Sequence, residues 1–146
     1  MTNTEMTQNP FVGTWRLLSY EVRRADGEVR YPWGQDPVGF LMYSEEGYVS
    51  VAMMSANRPR FSAKDIKRGT TEEKVAAVDT YISYCGRYEV QGDTVIHHVE
   101  VCLFPNWIGN DQKRTFKFDG DRLLLSTEPI AVGEMQWTGH LIWERI

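Results

Sequence analysis

The sequence predicts an all-β fold: one up-and-down antiparallel β-barrel of eight or nine strands, with one short helix in a crossover near residues 70–82. Three observations predict it. Turn signals recur between short runs rich in Val, Leu, Phe and Tyr: ADG (25–27), SEEG (44–47), QGD (91–93) and DGD (119–121). Each reads as a hairpin connection. The 146 residues include five Trp, seven Tyr and six Phe, which suits strands around an aromatic-lined interior. Only one segment has a helical period. A meander of this size has two edges unless it closes, and closure into a barrel removes them.

Residues 1–9 read as a flexible tail, so the domain is expected over 10–146. Strands are expected at about 14–24, 28–32, 38–43, 48–54, 83–90, 94–104, 112–118, 122–128 and 136–145. The segment TTEEKVAAVDTYI is the helix. Thr70 or Thr71 is its N-cap, Glu73 completes a capping box with Thr70, and Val75, Val78 and Ile82 recur at helical spacing.

Composition excludes several classes. A net charge of −4 argues against nucleic acid as the main partner, because phosphate binding wants a basic face. No run of 18 apolar residues occurs, so no membrane span is expected. MTNTEMTQNP lacks the apolar core of a signal peptide, which makes the cytoplasm the expected location. Cys85 and Cys102 form no CxxC and read as small buried hydrophobes. No cofactor is expected: there is no Gly-x-Ser-x-Gly, no phosphate-cradling glycine loop and no dinucleotide fingerprint.

Two segments carry a resemblance. FVGTWRLLSYE resembles the Gly-x-Trp opening of lipocalin-type barrels. Residues 84–127, YCGRYEVQGDTVIHHVEVCLFPNWIGNDQKRTFKFDGDRLLLST, closely resemble the bacterial and fungal lipocalin-like domain family. The resemblance covers nearly the whole chain. It implies a single barrel with an interior cavity and implies no reaction. It also implies that the first-strand Trp plugs the closed end under an Arg from the last strand, here Trp15 and Arg145. Direction counting agrees: in an eight-strand meander the last strand ends beside the start of the first.

The same count sorts the connections. The tight turns SEEG, QGD and DGD fall at one end, giving a closed base. ADGEVRYPWGQDP, the crossover 55–82, FPNWIGND and EPIAVGEM fall at the other, giving a mouth where a ligand would enter. Mouth-side candidates are Trp33, Met53, Met54, Trp107, Ile130, Met135 and Trp137.

Alternation assigns the inner face. It turns Arg114, Phe116 and Phe118 inward, with Tyr84, Gly86 and Tyr88. The last strand contributes Trp137, Gly139, Leu141, Trp143 and Arg145. The first contributes Trp15, Leu17 and Ser19, with Glu21 near the mouth. A guanidinium inside an aromatic barrel is costly unless paired, so Arg114 points to a ligand anion or an internal acid. Strand 94–104 gives two answers. Its more apolar face is Val95, His97, Val99, Val101 and Leu103. However, a hairpin centred on Ile108 would set Arg114 opposite Cys102, Phe116 opposite Glu100 and Phe118 opposite His98. That favours His98 and Glu100 inside, although a slip of one residue reverses it.

Two functions follow. The first is a barrel binding a small hydrophobic or aromatic molecule with a polar or anionic group, contacted by Trp33, Met54, Tyr84, Tyr88, Trp107, Arg114, Phe116 and Trp137. The alternative is a cofactor-free acid/base enzyme, an isomerase, cyclase or lyase acting on an enolisable substrate. His98 and Glu100 would move its protons, and Arg114 would stabilise an oxyanion. A third class is a homodimer of barrels with filled cores. A metal set of His98, Glu100 and His140 can be drawn, but His140 falls on the outer face, so no metal is expected.

Overall fold

The computed structural model describes residues 9–146; the expected tail at 1–9 lies almost wholly outside them. Ten strands are present: β1 Gly13–Arg24, β2 Val29–Arg30, β3 Val38–Tyr43, β4 Tyr48–Met54, β5 Tyr81–Gln91, β6 Thr94–Cys102, β7 Asp111–Asp119, β8 Arg122–Thr127, β9 Ile130–Val132 and β10 Met135–Arg145. One helix, α1, spans Thr71–Asp79. Eight strands close into an antiparallel barrel, because β1 pairs with both β3 and β10. β2 and β9 are short additions on the mouth-side connections. Among the described residues no helix is long and apolar enough to cross a membrane.

The expected 28–32 strand shrinks to β2, while EPIAVGEM, expected as a loop, contains β9. The helix is shorter than its period suggests. Thr70 caps it with the full Glu73 capping box, but it stops at Asp79, and Ile82 belongs to β5. Tyr81 and Ile82 pair with Met54 and Met53, so the β-branched and aromatic run after Thr80 joins the sheet instead of extending the helix.

The base closes as direction counting requires. Trp15 is buried, and the Arg145 guanidinium lies 4.2 Å from its ring centroid. Arg145 also donates to the carbonyls of Val12 and Pro10 at 2.9 and 2.6 Å. Gly13 has φ +133°, and a Cβ there would stand 2.6 Å from Arg145 Nη1, so glycine lets the guanidinium approach the chain. Phe11 fills the space above this plug. Its ring meets Tyr43, Phe116 and Phe118 edge-on at centroid distances of 5.1, 4.8 and 5.0 Å.

Two β-bulges change which residues face inward. In β1 the register shifts between Leu17 and Ser19, leaving Leu18 as the extra residue. Trp15 and Leu17 point in below it, and above it Tyr20 takes the inner position expected for Ser19. In β6 the shift lies opposite Cys85 and Gly86, with Glu100 the extra residue. A Cβ on Gly86 would stand 1.9 Å from the His98 carbonyl oxygen, so the close approach needs glycine.

Candidate functional site

The register of β6 decides the site. Val95 pairs with Arg114 and His97 with Gln112, so the β6–β7 hairpin centres between Phe104 and Pro105, not on Ile108. The connection is asymmetric. β6 runs to Cys102 along β5, a 3-10 turn spans Pro105–Trp107, and the chain returns to β6 where Gly109 N–H donates to the Val99 carbonyl. The expected inner set of His98 and Glu100 is therefore corrected. Val95, His97 and Val99 are buried, and His97 is 2% exposed. His98 lies on the outer wall, hydrogen-bonded to Asp111 at 2.6 Å and Glu89 at 2.9 Å. Glu100, also outside, accepts from the Arg87 backbone N–H at 3.1 Å. The proton-transfer pair drawn from the sequence is thus absent from the interior.

Inside the barrel is a cavity of about 430 Å³ that opens at the mouth. Its walls are mainly apolar: Leu41, Val51, Met53, Ile82, Leu125, Leu141 and Trp143 from the strands, Val78 from α1, and Leu103, Phe104, Pro105 and Trp107 from the β6–β7 loop. The β1–β3 connection brings Trp33 to the wall, where its ring meets Tyr20 at 5.7 Å. Trp107 meets Tyr84 at 6.0 Å and Phe104 at 5.6 Å. Aromatic rings from two mouth loops therefore line the entrance.

One polar cluster interrupts this wall: Tyr20, Tyr84, His97, Gln112 and Arg114, with Thr127 beside it. The two nitrogens of His97 are both engaged, Nε2 with the Tyr43 hydroxyl and Nδ1 with the Tyr84 hydroxyl, each at 2.7 Å. Burial, with the nearby Arg114 charge, pushes the imidazole down to about 3, so His97 is neutral at physiological pH. A neutral ring donates through one nitrogen and accepts through the other, tying β3, β5 and β6 together. Burial raises the Tyr43 and Tyr84 hydroxyls above their ordinary value, against a smaller lowering by Arg114.

Arg114 points inward as expected, but the internal acid does not exist among the described residues. Its guanidinium donates to the Lys113 carbonyl at 3.0 Å and to the Gln112 side-chain oxygen at 3.5 Å, lies against the Tyr84 hydroxyl, and makes no ion pair among the described residues. Five donors exceed these neutral acceptors, which leaves capacity for a ligand oxygen at the cavity wall.

Four expected contact residues line this cavity: Trp33, Tyr84, Trp107 and Arg114. Four others stand elsewhere. Tyr88 and Phe116 pack around Phe11 at the base. Met54 borders a separate open groove under the strap 56–64. Trp137 is buried between β1 and β9, paired with Arg24 and Ile130, with the Arg30 guanidinium 4.8 Å and that of Arg24 5.6 Å from its ring. Tyr20 and Gln112 were missed. The Leu18 bulge hides Tyr20 from a strict alternation, whereas Gln112 was legible as the inward neighbour two residues before Arg114. No cluster of three or more His, Cys, Asp or Glu among the described residues could hold a metal ion.

The chain is similar to known proteins. The lipocalin-like domain family matches residues 12–146. The 4'-hydroxy-3'-methoxypropiophenone carrier protein ppsC of Aspergillus oryzae (strain ATCC 42149 / RIB 40) is 33% identical over 107 residues, covering 67% of this chain and 96% of that protein. A crystal structure of a lipocalin-like protein from Bacteroides uniformis ATCC 8492 aligns over 94% of this chain and 100% of its own, with 13% identity and a TM-score of 0.48. The match across 12–146, on a closed eight-strand barrel, makes this chain a member of the lipocalin-like domain family.

Proposed function

We propose that this protein is a carrier that holds a small, largely apolar aromatic molecule inside the barrel and fixes its polar end at Arg114, Tyr84 and Gln112. The observation that carries this reading is the cavity itself: about 430 Å³, open at the mouth, apolar on most sides, with one polar cluster on one wall. Binding sites for small molecules have this composition. The size suits a molecule of one or two rings. The curated relative supports the reading, since its name describes a carrier of a hydroxylated, methoxylated aryl ketone.

A series of hydroxyaryl ketones titrated into the protein tests this, read by quenching of Trp33 and Trp107 fluorescence and by native mass spectrometry. A saturable 1:1 complex that weakens in Trp107→Ala supports a carrier. Absence of any complex across the series, together with unchanged ligand after long incubation, contradicts it.

A further inference from the structure

The ionisable groups on the cavity wall are few. Tyr20 comes from β1, Tyr81 and Tyr84 from β5, His97 from β6, Arg114 from β7 and Asp79 from the end of α1. β3, β4, β8 and β10 present only uncharged side chains to it. Of the six, Arg114 is the only fixed cation, because His97 is held neutral by burial. Arg114 has no carboxylate partner among the described residues: its guanidinium donates to the Lys113 carbonyl and the Gln112 side-chain oxygen and lies against the Tyr84 hydroxyl, all of them neutral groups. The cavity wall therefore carries a positive charge that no described residue inside compensates. The one carboxylate on the wall, Asp79, sits at the mouth, where α1 ends.

From this we infer that the ligand is held as an aromatic oxyanion, its charged oxygen on Arg114 and its ring toward Trp33 and Trp107. The inference rests on the carrier reading and adds the ligand's charge state and orientation. An anion entering an apolar cavity loses its hydration, which alone would favour the neutral acid. Here it meets a guanidinium that folding has already partly desolvated, and the pair forms charge-assisted hydrogen bonds. A neutral ligand oxygen can accept from that guanidinium, but the bond is weaker and the charge stays uncompensated. Asp79 at the rim repels the charged end and so disfavours the reversed orientation.

The wall also makes the inference readable. His97 titrates near 3, and burial raises Tyr20 and Tyr84 above their ordinary value. These three therefore keep one charge state from about pH 5 to 9, and a probe with its own absorption band reads the ligand's proton directly rather than through affinity. The His98 pKa is raised above its ordinary value by its hydrogen bond to Asp111, but the side chain lies on the outer wall with Glu89, Asp111 and Arg87. The His98→Gln variant removes it as a contributor.

The test uses 4-nitrophenol, whose phenolate has its own absorption band, and its non-ionisable ether 4-nitroanisole. The expected result is that bound 4-nitrophenol ionises at least about one pH unit below the free probe, and that the ether binds at least about tenfold more weakly than the phenolate. The pH profile stays the same in His98→Gln. Arg114→Gln abolishes the pKa shift, and an unchanged far-UV circular-dichroism spectrum and cooperative melting transition show that the variant is folded. Arg114→Lys keeps the shift in part, since it keeps the charge. A parallel arm with 4-nitrobenzoate shows whether the oxyanion preferred is a phenolate or a carboxylate. An unshifted or raised pKa, an ether that binds as tightly as the phenolate, or a shift that survives Arg114→Gln overturns the inference and leaves the carrier reading standing. If none of the three probes binds, the carrier reading fails and takes this inference with it.

Discussion

His97 and His98 are neighbours in sequence with opposite surroundings, and strand geometry alone separates them. His97 sits between the Tyr43 and Tyr84 hydroxyls at 2.7 Å, with its pKa pushed down to about 3. His98 lies outside between two carboxylates, with its pKa raised. The two have opposite linkage signs. An unfolded imidazole titrates near pH 6.5, so below that pH the unfolded chain takes up a proton that buried His97 refuses. The stability due to neutral His97 is therefore present above about pH 6.5 and is lost progressively as the pH falls toward 3. His98 contributes in the other direction: its share is present below the unfolded value and is lost as pH rises through its raised folded value. Urea unfolding from pH 7 to pH 4 should show a steep acid loss that His97→Gln flattens; an equally steep loss in the variant would assign it elsewhere. At pH 7, His97→Ala should cost on the order of 2–4 kcal/mol, because it leaves two tyrosine hydroxyls without their partner and opens a void. The inward Arg114 was legible from the Lys113, Thr115 and Lys117 pattern. Its lack of an acid partner was not, since that depends on a register seven residues from the one the loop suggested.

Most of the strands and the helix cap follow from local signals, and the errors concentrate where a single residue breaks the period. The tight turns at 44–47, 91–93 and 119–121 lie at the closed base, and the long connections lie at the mouth. Thr70 and Glu73 form the capping box that their spacing predicts. Bulges are different, because one extra residue shifts every later side chain to the other face. The Leu18 bulge brings in Tyr20, and the Glu100 bulge lets β6 place both His97 and Cys102 against the core. Gly86 was the available clue to the second bulge, since glycine inside a strand marks close backbone approach. Gly86→Ala should therefore be severe, lowering the melting temperature by well over about 10 °C or preventing folding, because its Cβ meets backbone that cannot yield. A shift of only a few degrees would mean that the β5–β6 ladder can relax. Thr70→Ala removes a cap worth about 1 kcal/mol to α1. No residue of α1 is buried, so the effect should appear as faster amide exchange in the helix and faster ligand release, with the melting temperature of the barrel little changed.

At the scale of the molecule, the barrel is asymmetric along its axis. One end is sealed by Phe11, Trp15 and Arg145, and the other opens between loops carrying Trp33, Trp107 and α1. Arg145→Ala should loosen the sealed end by about 1–2 kcal/mol, through the lost ring contact and the two carbonyls left without their donor. Ligand affinity should change little, because the cavity lies on the far side of Phe11; equilibrium unfolding and a ligand titration of the same variant check both halves. The proposed carrier binds in its interior, not on the outer wall around His98 and Glu100. An amide and side-chain NMR titration with a hydroxyaryl ketone separates the two surfaces. Saturable shifts are expected on Tyr20, Tyr84, His97, Trp107 and Arg114, with little change at Glu89, His98, Glu100 and Asp111. Shifts centred on that outer cluster, with the cavity residues silent, would contradict interior binding.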